Sequence, residues 1–118
     1  ILLIDDDEGI IKVCSAMLKK VGFTTLSASS GEEGIECLRN NIETVSLVLL
    51  DLVMPGMNGQ NAFFHLKKVN QDLPIILCTG YDLSSVEHLS DVGFSGFLQK
   101  PLSGKALYGE VERVLNTI

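Results

Sequence analysis

The chain has no apolar stretch long enough to cross a bilayer. Its longest run, Leu47 to Met54, is broken by Asp51 and falls well short of the roughly 20 residues a spanning helix needs. No membrane contact by this domain is expected. No basic segment precedes an apolar core and a cleavage site, so no secretory leader is read. Repeats and low-complexity tracts are absent. Cysteine is scarce. Cys14, Cys37 and Cys78 are odd in number and widely spaced, matching neither a disulfide framework nor a zinc pattern. They read as small buried hydrophobes in a reducing cytosol, which places the chain in the cytoplasm. Positive charge is scarce too: nine Lys and Arg face fifteen Asp and Glu, for a formal net charge of -6. Such a surface repels phosphate backbones and argues against nucleic-acid binding by this domain.

What is present is one domain's worth of chain. The 118 residues are 46% hydrophobic, enough for a real core, and read as a single domain over 1–118. Ile1 already stands inside an apolar run with no initiator Met, so the chain reads as a piece of a longer protein.

Strand and helix signals alternate throughout. Ile1 to Ile4 is a buried-strand run ended by Asp5-Asp6-Asp7. Ile10, Cys14, Met17, Leu18 and Val21 fall at helical spacing on one face, with Asp7 and Glu8 at the positive end of the helix dipole and Gly22 as the stop. Phe23 to Ala28 is a more polar strand. Ser30 and Glu33 have capping-box spacing and open a helix to about Asn40. Val45 to Leu50 is strongly apolar and ends in Asp51. After the Pro55-to-Gly59 loop, a helix runs through Phe63, Leu66 and Val69. Pro74 to Cys78 is a buried strand ending at Thr79-Gly80. A weakly periodic helix is predicted over about Leu83 to Asp91, then a short strand over Gly96 to Gln99. The last helix carries Leu107, Val111, Val114, Leu115 and Ile118 on one stripe.

Five strands alternating with five helices predict a single doubly wound α/β domain with a parallel sheet. The first, third and fourth strands are unbroken apolar runs, as central strands buried on both faces must be. The second is polar and the fifth short, so both suit edges. The consistent order is 2-1-3-4-5, that of flavodoxin-like folds. Sites in such sheets form outside the carboxyl ends of the strands, where the order reverses. There the runs end in Asp5-Asp6, Asp51, Thr79 and Lys100, so three carboxylates, a hydroxyl and an ammonium converge. Carboxylates so crowded either keep a proton or bind a cation. Magnesium suits all-oxygen ligands and commonly takes one or two carboxylates plus a phosphate. Asp51, central in the array, is the natural nucleophile for an aspartyl-phosphate. Lys100 would meet a phosphoryl oxygen as a point charge, Thr79 would hydrogen-bond another, and Gly80 leaves room.

Ile4-Asp5-Asp6-Asp7, Asp51-Leu52-Val53-Met54-Pro55-Gly56-Met57-Asn58-Gly59, Thr79-Gly80 and Lys100-Pro101 together resemble the receiver domain of bacterial response regulators, in the right order and over essentially the whole chain. The resemblance implies Asp51 as the phosphorylated residue and Asp6 as principal ligand of Mg2+ or Mn2+. Asp5 would help directly or through water, and the Val53 carbonyl would complete the ligand set. It implies Thr79 and Lys100 as the phosphate-sensing pair, Phe97 as the switch aromatic, and a cis bond before Pro101. The chain departs from the family at Asn58, commonly Asp, where a helix cap is kept. It departs again at Phe97, often Tyr, which has no hydroxyl to bond in either rotamer. Val53 and Tyr81 occupy positions that tune phosphoryl lifetime in the family. An apolar and an aromatic group there predict slow self-dephosphorylation.

The expected partner is a phosphohistidine on a histidine kinase or phosphotransfer domain, docked by apolar residues exposed on the first helix. The expected output surface is the face of the fourth helix, fifth strand and fifth helix, around Leu83, His88, Gln99 and Lys105, which is also a candidate for receiver dimerisation. The fourth helix, weakest in periodicity, is the expected mobile element. His65 and His88 read as surface residues. Cys78-Thr79-Gly80-Tyr81 resembles receivers attached to hybrid sensor histidine kinases, with a stand-alone regulator or a transcription-factor fragment as the alternative parents. Three rivals are weaker. A flavin domain would be repelled by three aspartates at its phosphate loop. An aspartyl-phosphate phosphatase would want a second Asp at Val53 and a cap insertion. A degenerate receiver acting only as an interaction module would not need complete Asp, Thr and Lys positions.

Overall fold

A computed structural model describes residues 1–54, 56–80 and 91–116. Its elements alternate as the hydrophobic pattern predicts: β1 (Leu2–Ile4), α1 (Glu8–Lys20), β2 (Leu26–Ala28), α2 (Gly31–Asn40), β3 (Val48–Asp51), α3 (Gly59–Val69), β4 (Ile75–Thr79), β5 (Gly96–Gln99) and α4 (Gly104–Asn116). All neighbouring strands are parallel, in the order β2-β1-β3-β4-β5. The described residues hold four α-helices rather than five. The helix expected over about Leu83 to Asp91 falls almost wholly outside them.

Strand alternation sorts the core into two layers. Leu2, Ile4, Val48, Leu50, Ile75 and Leu77 face α2 and α3, with Leu38, Phe63 and Leu66. Leu3, Leu49, Ile76, Cys78 and Leu98 face α1 and α4, with Leu18, Leu107 and Val111. β1, β3 and β4 are buried at every position. Only three residues of the Phe23-to-Ala28 run pair as β2, and two of them are exposed, as an edge strand requires. Cys14 and Cys78 are buried as expected, whereas Cys37 is only half-buried.

The helix starts are locally determined. Asp7 caps α1 by accepting the Gly9 and Ile10 N–H groups. The Ser30 hydroxyl accepts the Glu33 N–H, and the Glu33 carboxylate reaches back to Ser29. Asn58 caps α3 by accepting the Asn61 N–H at 2.9 Å, so Asn serves where Asp is usual. Each cap follows a strand end and turns the chain away from the sheet's carboxyl edge. That leaves the residues between strand and cap to form the site.

Candidate functional site

Asp5 directly follows β1, Asp51 ends β3, Thr79 ends β4 and Lys100 directly follows β5. Parallel register aligns these ends: Asp51 pairs with Cys78, next to Thr79, and Thr79 pairs with Gln99, next to Lys100. Thr79 is buried, and its carbonyl accepts the Lys100 N–H at 2.7 Å, locking the two strand ends together. The peptide bond before Pro101 is cis.

The Lys100 ammonium bridges two carboxylates, 2.7 Å from Asp5 Oδ2 and 3.1 Å from Asp51 Oδ1. Both aspartates are buried, and Asp5 Oδ1 also accepts the Asp7 N–H. Asp6 is exposed. Ligand oxygens of Asp5, Asp6 and Asp51 all lie within 4.8 Å of one another. The donor set is entirely hard carboxylate oxygen, which fits magnesium or manganese rather than a thiophilic ion.

The electrostatics differ for the two partners of one ion pair. Burial pushes the Asp51 carboxyl above the usual carboxylate range; the Lys100 hydrogen bond opposes this, and Asp5 and Asp6 add to it. Burial would depress Lys100, but hydrogen bonds to Asp5 and Asp51 outweigh it and hold the ammonium above its ordinary value. One lysine faces two opposite charges, whereas Asp51 faces two like ones. The site therefore has a surplus of negative charge, which a cation would offset.

Val53 lies two residues beyond the end of β3 and is 58% exposed. Phe97 is half-buried on the α2/α3 side of the sheet, beside Phe94. Gln99, Lys105 and His65 are exposed. Tyr81, Leu83 and His88 lie outside the described residues.

Two features escaped sequence reasoning. The first is an open groove of about 620 Å³ lined by Ile10, Val13, Cys14, Lys100, Pro101 and Leu102, running from the exposed flank of α1 to the lysine. Val13 offered a signal, since it interrupts the polar face of α1 and is 56% exposed. The second is a clamp on β5. Glu110 accepts the Phe97 N–H at 2.8 Å and two Arg113 N–H groups, while Arg113 donates to the Ser95 carbonyl at 3.0 Å. A Cβ on Gly96 would sit 2.5 Å from Glu110 Oε2, so glycine permits the approach. Glu110 and Arg113 stand three residues apart on α4, a spacing that signals a pair on one helix face and carries no sign of a reach to β5.

The parallel 2-1-3-4-5 sheet defines a doubly wound, flavodoxin-like α/β domain, here with an acidic trio and a lysine at its carboxyl edge. Residues 1–112 match the family model described as response regulator receiver domain, and the chain belongs to that family. It is 34% identical over 116 residues to the Escherichia coli K12 transcriptional regulatory protein GlrR, covering 98% of this chain and 26% of that protein. It is 33% identical to the probable transcriptional regulator ycf27 of Porphyridium aerugineum, covering all of this chain and 48% of that protein. The chain thus spans between about a quarter and a half of these relatives' length. Among solved structures, a response regulator receiver domain protein from Clostridium thermocellum superposes with a TM-score of 0.89 at 26% identity, covering 98% of this chain and 93% of that one. The fold is also that of a chain in the CheX-CheY-BeF3-Mg+2 complex from Borrelia burgdorferi, with a TM-score of 0.89 at 23% identity, covering 96% of this chain and 86% of that one.

Proposed function

We propose that this receiver domain accepts a phosphoryl group on Asp51 from a phosphohistidine of a histidine kinase or phosphotransfer domain. The observation that carries the reading is the Lys100 ammonium held between Asp5 and Asp51 at hydrogen-bond distance, inside an acidic trio. An Asp51 carboxylate oxygen attacks phosphorus, the P–N bond breaks, and the imidazole leaves with the electron pair. Lys100 turns from the Asp51 carboxylate to a phosphoryl oxygen while Asp5 keeps it in place. Thr79 donates its hydroxyl to another phosphoryl oxygen. Asp6, Asp51 and the Val53 carbonyl would hold Mg2+ or Mn2+, with Asp5 helping directly or through water. When bound, the ion offsets charge on the phosphoryl oxygens. The groove beside Val13 and Leu102 would seat the donor's apolar surface, leading its imidazole to the lysine.

The new charge on Asp51 gives Thr79 and Lys100 a differential reason to move, and Phe97 follows on the adjacent strand. Output would pass to the face of β5 and α4 around Gln99 and Lys105, which would also serve a receiver dimer. The apolar Val53 and aromatic Tyr81, two residues beyond Asp51 and Thr79, would hinder the attacking water and slow self-hydrolysis; a phosphoryl half-life of seconds would count against it. For the parent protein, the candidates are a cytoplasmic hybrid sensor histidine kinase, a stand-alone regulator and a transcriptional regulator; a transmitter module encoded beside the domain would single out the first, and a DNA-binding module the last.

Intact mass after incubation with acetyl phosphate tests the reading. One phosphoryl group should be gained with magnesium, and none with chelator or in Asp51→Asn. No gain under any condition, including with a phosphorylated histidine donor, would leave only a partner-binding module.

A further inference from the structure

Four of the chain's five phenylalanines stand in one file. Phe97 on β5 lies 6.1 Å, centroid to centroid, from Phe94; Phe94 lies 4.4 Å from Phe63; and Phe63 meets Phe64 edge-on at 5.8 Å and 79°. All three separations fall at or close to the range in which aromatic rings attract one another. The file begins at the switch position, crosses the core layer under α3 through two buried rings, and ends at Phe64, which is 54% exposed on the outer side of α3. Gly93 backs onto it with φ +116°, and a Cβ there would stand 3.4 Å from Phe63 Cζ. The fifth ring, Phe23, packs with the other core layer.

A close-packed interior responds to a displaced ring by repacking its neighbours rather than by leaving a void. We propose that this aromatic file carries the state of Phe97 to the outer face of α3, making Phe64 a second readout of phosphorylation, remote from the β5 and α4 face. This rests on the phosphorylation reading above. Phe94 and Phe63 are positioning residues in it, and neither touches the acidic site.

The test uses the full chain labelled with 4-fluorophenylalanine, whose five 19F resonances are assigned by single Phe→Tyr substitutions. Spectra at constant magnesium are compared with and without beryllofluoride, a phosphoryl mimic whose bound fluorides give their own signals. The resonances of Phe97, Phe94, Phe63 and Phe64 should shift together, with Phe23 unmoved. In Phe94→Leu the Phe97 shift should remain and the Phe64 shift should be lost. Phe94→Met, whose flexible side chain fills irregular gaps, serves if the leucine variant does not fold. Bound fluoride with Phe64 unmoved overturns the inference and leaves the phosphorylation reading standing. A Phe64 shift that survives both Phe94 variants overturns the route. No bound fluoride overturns the phosphorylation reading and the inference with it.

Discussion

The Lys100 ammonium lies 2.7 Å from the Asp5 carboxylate, although 95 positions separate them in the chain. The lysine's other contact is Asp51, so one cation holds two buried acids. Removing it leaves both uncompensated. Lys100→Met should therefore lose about 3 kcal/mol of stability in chelator, measured by urea denaturation. Magnesium should restore part of that loss, because it supplies the missing positive charge. An unchanged midpoint would mean that the bridge contributes nothing.

Asp6 separates metal binding from folding. Its side chain is exposed, so Asp6→Ala should change stability in chelator by no more than about 0.5 kcal/mol. The native chain should gain about 2.7 kcal/mol at a magnesium concentration about 100 times its Kd. The variant should gain almost none. Thermal melts with and without magnesium, for both proteins, decide this. Equal gains would remove Asp6 from the ligand set.

Glu110 sets an acid-side dependence. The Arg113 hydrogen bonds hold its carboxyl below a glutamate's ordinary 4.5; burial opposes this, and the Phe97 N–H adds to it. Because the folded-state value lies below the unfolded one, the stabilisation is present above about pH 4.5 and lost as pH falls through the lowered value. Glu110→Ala should cost about 1–2 kcal/mol at pH 7 by leaving the Phe97 N–H and Arg113 without this acceptor. Its deficit should shrink progressively in denaturation series taken below pH 4.5. A deficit independent of pH would show that the lost contact is packing rather than the carboxylate.

Gly59 lies where the start of α3 passes the end of β3. A Cβ there would stand 2.6 Å from the Asp51 carbonyl and 2.8 Å from Leu52 Cα, and this backbone cannot rotate aside. Gly59→Ala should cost about 3 kcal/mol and slow phosphoryl uptake, since relief requires shifting Asp51. Gly109→Ala, within α4 where nothing lies near the added Cβ, should instead stabilise by about 0.5–1 kcal/mol and leave uptake unchanged. Paired denaturation and mass-uptake assays read both. Normal uptake in Gly59→Ala would show that the acceptor tolerates the displacement.

The sequence by itself determined the strand and helix alternation, the sheet order and the helix caps at Asp7, Ser30 and Asn58, because each rests on local periodicity or on a side chain bonding its own backbone. It also determined which residues end the strands, and so the membership of the acidic trio. Strand bounds were less legible. β2 is shorter than the Phe23-to-Ala28 run because pairing there extends only along the residues that face β1. Only the tertiary structure decided that Asp5 would be bound to Lys100, that Glu110 and Arg113 would reach from α4 to the edge of β5, and that four phenylalanines would form one file. Those contacts join side chains from different elements. Their distances depend on sheet register and on how closely each helix packs against the strands, and no local pattern in the chain encodes either.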